Sequence, residues 1–390
     1  MEVDVVEHLF KRATIYPITS EPFVGDVLVK DGKIAAIAEK LDDPNAEIVD
    51  LTGKYLFPGF VDAHSHIGIM EESVGTFYYQ DSNEMTEPVT AQVSVVDAFN
   101  PDDAAIDRAL AGGVTTVMVV PGSANPVGGQ GAIFKFRSKI VDEMLVRAPA
   151  GLKMALGENP KRVYGSANKQ PSTRLGNAAI IRAYFTKVKN YMAKKEAAEK
   201  EGKPFAEQDL AMEVGELVLK RKIPARIHAH RKDDILTAIR LSEEFGFDLV
   251  IEHGTEGYLI ADYIRSKGVP LVIGPLLSFR SKVELKNLSY ESVRILNEAG
   301  VLTALMCDHP VIHLEHTAVQ AAVALRYGAR ESDILRMLTI NPAQILGLEA
   351  EIGSIEPGKN ADLVVWSDHP FDMRAKVERV YIDGKEVLPG

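Results

Sequence analysis

The sequence predicts an α/β protein, a (β/α)8 TIM barrel carrying a small β-sandwich domain built from both ends of the chain. Three observations predict it. The 390 residues exceed what one hydrophobic core usually fills, so a barrel-sized domain with a smaller companion is expected. The two ends share one texture, short alternating strands around Gly, Asn and Asp turns. The middle alternates short apolar runs with helical segments, the pattern of βα units on a parallel sheet.

Residues 1–56 contain "ATIYPI", then "GDVLVKDGKIAAIA" with Asp31-Gly32 as a hairpin turn, then "EIVDLTGKYLFPG". In 347–390, "GSIEPGKNADLVVWS" and "VERVYIDGKEVL" alternate in the same way, so both ends are expected to pair in one β domain. Eight strand candidates fall within 57–346: "GFVDAH", "VTTVMVV", "GAIFKF", "GLKMALG", "ARIHAH", "FDLVIEH", "VPLVIG" and "VLTALMC". Eight parallel strands with helices between them close into a barrel, whose active site lies at the C-terminal strand ends. An insertion over about 175–222, rich in Ala, Lys and Glu, reads as helix broken near Gly202 and Pro204. A solvated helical hairpin is the plainer expectation for it, and a cover over the barrel mouth the sharper one. "NPVGGQGAIFKF" leads into a strand and lacks a ribose-binding acid, so it is no dinucleotide fingerprint. Its glycines 128, 129 and 131 suggest close backbone approach near the site, with an anion nest as the lesser reading.

The net charge of −11, from 44 basic and 55 acidic residues, argues against nucleic-acid or acidic-membrane partners. No apolar run reaches the roughly 18 residues of a membrane span, and the N-terminus lacks a signal-peptide plan, which makes a cytoplasmic location the expectation. Cys307 is the single cysteine, so any metal must be held by His, Asp, Glu or a modified Lys.

Strand ends carry the residues that matter. His64 and His66 end the first strand, Glu158 the fourth, His228 and His230 the fifth, His253 the sixth and Asp308 the eighth. Side chains i and i+2 of a strand share a face, so His64 and His66 can both face the barrel axis. Neutral imidazole and carboxylate are ordinary ligands for zinc and related divalent ions. An H-x-H pair alone is weak, but acids and histidines at four other strand ends make a metal centre the expected reading.

"PGFVDAHSH", "IHAHRKDDILTAI", "IEHGTEGY", "LMCDHP" and "TINPAQILGLEAEIGSIEPGKNADLVVWS" together resemble the amidohydrolase superfamily, in particular its imidazolonepropionase-related members. The similarity spans almost the whole chain and is far more specific for superfamily than for substrate. It implies metal ligands at His64, His66, His228 and His253, and at Asp308 an aspartate that also serves as general base and acid. Relatives place either a carbamylated lysine or a glutamate on the fourth strand. Position at the strand end favours Glu158, with Lys153 as the alternative. The "HA" placement favours His228 over His230 as ligand and leaves His230 to touch substrate. One or two divalent ions are implied, zinc first, with iron, manganese or cobalt also tolerated by such ligands. Association into homo-oligomers is carried over as an expectation.

Arg162, Arg174, Arg231 and Arg280 follow strand ends or lie in the loops above the mouth, and guanidinium groups there favour a small anionic substrate. His309, beside Asp308, is expected to line the pocket, whereas His313 and His316 read as capping or core histidines. The leading expectation is metal-dependent hydrolysis of an amide or cyclic amide, such as an N-acyl amino acid, a dipeptide or a lactam-like ring. A heterocycle deaminase is the alternative, but its glutamate after the fifth-strand histidine is missing from "HAHRKDD". A barrel that has lost catalysis and serves as a binding module comes third.

Overall fold

The computed structural model describes residues 7–72 and 80–388. In chain order the strands are β1 (His8–Ile15), β2 (Phe23–Lys30), β3 (Lys33–Ala38), β4 (Glu47–Asp50) and β5 (Tyr55–Pro58). Next come β6 (Phe60–Ser65), β7 (Val114–Val119), β8 (Val127–Lys135), β9 (Leu145–Ala155), β10 (Ala225–Ala229), β11 (Leu249–His253), β12 (Leu271–Ile273) and β13 (Thr303–Leu305). The last are β14 (Leu363–Trp366), β15 (Val377–Ile382) and β16 (Lys385–Leu388).

Strands from both ends share one eight-stranded sheet, ordered β16-β15-β14-β5-β1-β2-β3, with β4 paired to the first half of β1. The joining ladder is antiparallel, with Leu363 opposite Pro58 and Trp366 opposite Tyr55. Alternation sends Phe10, Ile15, Val27, Val29, Leu363 and Tyr381 into a common core. Asp31 and Gly32 both take positive φ, 50° and 73°, as the tight hairpin turn between β2 and β3 requires.

The second sheet runs β6 to β13 in sequence order and forms the barrel. Its ladders are parallel except at β8, which runs antiparallel to both β7 and β9. This departs from the expected eight parallel strands, and the connections explain it. The link "VPGSANP" from β7 to β8 is too short for a helical crossover, which needs a dozen or more residues, so the chain reverses instead. The nearby glycines serve that packing. A Cβ on Gly129 would lie 2.8 Å from the Val93 carbonyl oxygen, and one on Gly131 2.8 Å from that of Val119. Between β13 and β6, where the ladder stops, buried Asp62 accepts the amide N–H groups of His64 (2.9 Å) and Cys307 (3.0 Å).

Lys135, at the end of β8, ties the barrel to the β domain. It is buried and pairs with Asp362 at 2.9 Å and Asp383 at 2.5 Å. Lys135→Ala should destabilise the protein by roughly 3–5 kcal/mol, because Asp362 would be left buried without its counter-charge. Denaturant titration checks this, and an unchanged midpoint would show that the two units hold together without the clamp.

The insertion forms two helices, Arg174–Lys200 and Leu210–Leu219. Phe185 stacks on Phe247 (4.9 Å between centroids) and meets Phe245 at the end of the helix Lys232–Phe245 (5.3 Å). The hairpin therefore packs on the outer helical layer. No helix among the described residues is long and apolar enough to cross a membrane.

Candidate metal centre

Parity along the strands decides which side chains reach the barrel axis. On β9, Leu152 and Met154 join the core beneath the helices, which turns Lys153 inward. On β10, Ala225, Ile227 and Ala229 do the same, which turns Arg226, His228 and His230 inward. On β11 parity would send His253 outward with Ile251, but His253 has φ +71°, and this left-handed residue swings the ring back into the cleft. Asp308, past the end of β13, also has a positive φ, +54°. Left-handed backbone is uncommon for residues other than glycine and gathers at functional sites.

These residues meet in a cavity of about 510 Å³ at the C-terminal mouth. His64 Nε2 lies 3.1 Å and His66 Nε2 3.3 Å from the same oxygen of Asp308, so the i, i+2 pair does share a face. The donor atoms of His64, His253 and Asp308 fall within 4.8 Å of one another, as do those of His228, His230 and His253. Carbonyl groups fix two tautomers. His66 Nδ1–H donates to Val120 O at 2.7 Å and His253 Nδ1–H to Gly274 O at 2.9 Å, which leaves each Nε2 with its lone pair in the cleft. Both ring nitrogens of His228 and Nε2 of His230 are buried with no hydrogen-bond partner. Buried donors are rarely left so, and this set fits a divalent ion.

The electrostatics agree. Burial drives His253 down to about 3 and holds His228 and His230 well below the usual range, so these rings are neutral and able to ligate. Burial would raise Asp308, but His253, His64 and His66 hold it well below the ordinary carboxylate range.

The fourth strand departs from expectation. Glu158 is not brought to the cluster; Lys153 is. Gly157, at φ +84° and ψ −147°, turns the chain away from the axis directly after β9, and Glu158 opens the helix Glu158–Ser166. A Cβ at Gly157 would lie 2.7 Å from Glu284 Oε2. Glu158 donates its backbone N–H to that oxygen at 3.0 Å and faces a side cavity instead. Lys153 starts deeper but lines the cleft with the histidines, its long stem covering the difference. It pairs with buried Glu252, which also contacts His64 Nδ1 at 3.0 Å and accepts from Arg226 Nε at 2.8 Å. Burial pulls the Lys153 amine below its usual range despite Glu252.

Of the four arginines, Arg162 alone lines the cleft. Arg174 is taken up by Asp234 at 3.0 Å, and Arg231 grips Asp233 at 2.9 and 2.8 Å. Arg280 donates to the carbonyls of Lys286 and Leu288 and borders a different cavity. His309 is buried outside the cleft lining, although its carbonyl accepts the His66 N–H at 3.1 Å. Lys282 and Glu284 are additions that the sequence reading missed. Glu284 is fully buried, 2.9 Å from Lys282 Nζ and 3.7 Å from His230 Nε2. It comes from the loop after β12 and no motif marks it. Lys153 did carry a signal, the apolar parity of its neighbours.

The amidohydrolase family model matches residues 55–387. Among solved structures, an amidohydrolase from Thermotoga maritima MSB8 is 68% identical, with a TM-score of 0.97 over 98% of this chain and 100% of that one. An imidazolonepropionase from Thermoplasma acidophilum is 22% identical over 93% of this chain and 86% of its own length. The amidohydrolase tasK of Hapsidospora irregularis is 28% identical over 93% of this chain, which spans only 40% of that longer relative. Fold, strand-end histidine and aspartate cluster and family match agree: the chain belongs to the amidohydrolase family, hydrolases of carbon–nitrogen bonds in small substrates that generally bind divalent metal.

Proposed function

We propose that the protein hydrolyses an amide or cyclic amide in a small anionic substrate, with a divalent metal as cofactor and Asp308 as general base and acid. The observation that carries this reading is the convergence of His64, His66, His228, His253, Asp308 and Lys153 on one cleft, with buried ring nitrogens left unpartnered. A divalent ion, zinc in this reading, supplies Lewis acidity that polarises a carbonyl and makes water a better nucleophile near neutral pH. Lys153, its amine pulled below the usual range by burial, suits conversion to a carbamate that would complete the ligand set in place of Glu158.

Asp308 takes one proton from the attacking water while the remaining hydroxyl adds to the acyl carbon. As the carbon–nitrogen bond breaks, the same carboxyl returns that proton to the departing nitrogen, giving an acid and an amine. The Nε2 atoms of His64 and His66 flank the reacting oxygen of Asp308 at 3.1 and 3.3 Å. His230, beside His228 and His253, would orient the carbonyl in this reading. Arg162, with Lys282 beside it and shared with Glu284, lines the mouth and supplies the attraction for an anionic group.

Purified protein should carry about one to two equivalents of divalent metal per chain, and a chelator should abolish hydrolysis of N-acyl amino acids until zinc is restored. Full activity in a metal-free preparation would sink the proposal.

A further inference from the structure

The cleft has two unlike walls. On the side of the fourth strand, Asn159, Arg162 and Lys282 line both the main cleft and the adjoining side cavity of about 310 Å³. That side cavity is lined by Lys161, Arg162 and Lys282 with one carboxylate, Glu158, while Lys282 also pairs with buried Glu284 at 2.9 Å. Lys282 reaches toward Asn159 Oδ1 at 3.5 Å, and Arg162 is exposed with no ion-pair partner among the described residues. On the side of the first and eighth strands the lining is apolar, with Met70, Met85, Pro310 and Val311. Met85 and Val311 keep 38% and 52% of their surface exposed at this mouth, an apolar surface suited to an apolar group of a ligand.

A third feature decides the chemistry. Asp308 is the only carboxylate lining the main cleft among the described residues, and the hydrolase reading commits it to proton transfer. An ammonium group entering beside the apolar wall would shed water and meet no counter-charge. Resting on the hydrolase reading above, we infer that the substrate is an N-blocked amino acid. Its free carboxylate lies toward Asn159, Arg162 and Lys282, with the amino-acid half reaching into the side cavity. Its apolar acyl group, bearing no free amine, lies against Met70, Met85, Pro310 and Val311. Water adds to the acyl carbon, the amide bond breaks, and the amino acid leaves with the proton on its nitrogen.

Three matched compounds separate the possibilities. Isocaproyl-L-alanine has both features, isocaproyl-L-alaninamide lacks the carboxylate, and L-leucyl-L-alanine adds a free amine to the same acyl skeleton. With metal-loaded enzyme, kcat/KM for the first should exceed each of the others by at least about tenfold, or ~1.4 kcal/mol. Arg162→Ala should shrink the acid-to-amide ratio. An equal or better rate with L-leucyl-L-alanine, or a ratio that Arg162→Ala leaves unaltered, would overturn the inference. Calorimetric binding of the three compounds to the Asp308→Asn protein provides a readout without turnover. The same ranking there, with no hydrolysis by the parent enzyme, would sustain the inference and defeat the hydrolase reading. Equal affinities would defeat the inference alone.

Discussion

Asp308→Asn is expected to lower kcat by about a thousandfold or more while leaving the metal content close to that of the parent, since a general acid–base contributes up to about 10⁴-fold. Asparagine is isosteric with aspartate, and its amide oxygen can take the position of Asp308 Oδ1, 3.1 and 3.3 Å from the Nε2 atoms of His64 and His66, so the local geometry should survive. What it cannot do is carry a proton from water to a leaving nitrogen. Steady-state kinetics with elemental analysis of the same preparation checks both halves of the expectation. Turnover within tenfold of the parent would place the proton carrier elsewhere in the cleft. Loss of metal together with activity would make Asp308 chiefly a ligand.

Lys153→Ala should weaken metal binding by at least about a hundredfold, as loss of a ligand exceeds the 10- to 100-fold typical of an outer-shell partner. Glu158→Ala should leave it unchanged, because the Glu158 side chain faces the side cavity and only its backbone N–H reaches toward the site, to Glu284. The Lys153 variant is expected to fold, since Glu252 keeps Arg226 at 2.8 Å and His64 at 3.0 Å as partners. Competition against a chromogenic chelator measures the affinities. Intact mass in bicarbonate buffer should show parent protein heavier by one carbon dioxide and the Lys153 variant without that increment. Metal loss on changing Glu158 instead would return the ligand to the strand end.

The centre was legible in part because most strand ends announce themselves locally. In "VDAHSH" and "RIHAH" the histidines are spaced at i, i+2, and that spacing alone puts each pair on one face. Asp308 follows "TALMC", in which Leu305 and Cys307 pack into one core and Ala304 and Met306 into another, and continuing that alternation puts Asp308 on the face of Ala304 and Met306. The pairing of both chain ends was legible for the same reason, since period-two patterning and the Asp31-Gly32 turn are properties of neighbouring residues.

Other features belong to contacts that no local pattern encodes. The reversed β8 follows from the length of one loop and from which backbone the chain meets on its return. Glu158 looked like a ligand because it ends an apolar run, but the left-handed turn at Gly157 aims it elsewhere, and that turn is made by packing against Glu284, more than a hundred residues downstream. Arg174, Arg231 and Arg280 read as substrate grips until Asp234, Asp233 and the Lys286 and Leu288 carbonyls were found to hold them. A charge's type is written in its residue, whereas its availability depends on its partners. The amino-acid sequence by itself therefore determined the barrel, the two-ended β domain and the chemistry on offer at the mouth. Only the tertiary structure decided which lysine, glutamate and arginine reach the histidine cleft, because backbone turns and long-range ion pairs aim and neutralise side chains in ways that local spacing does not record.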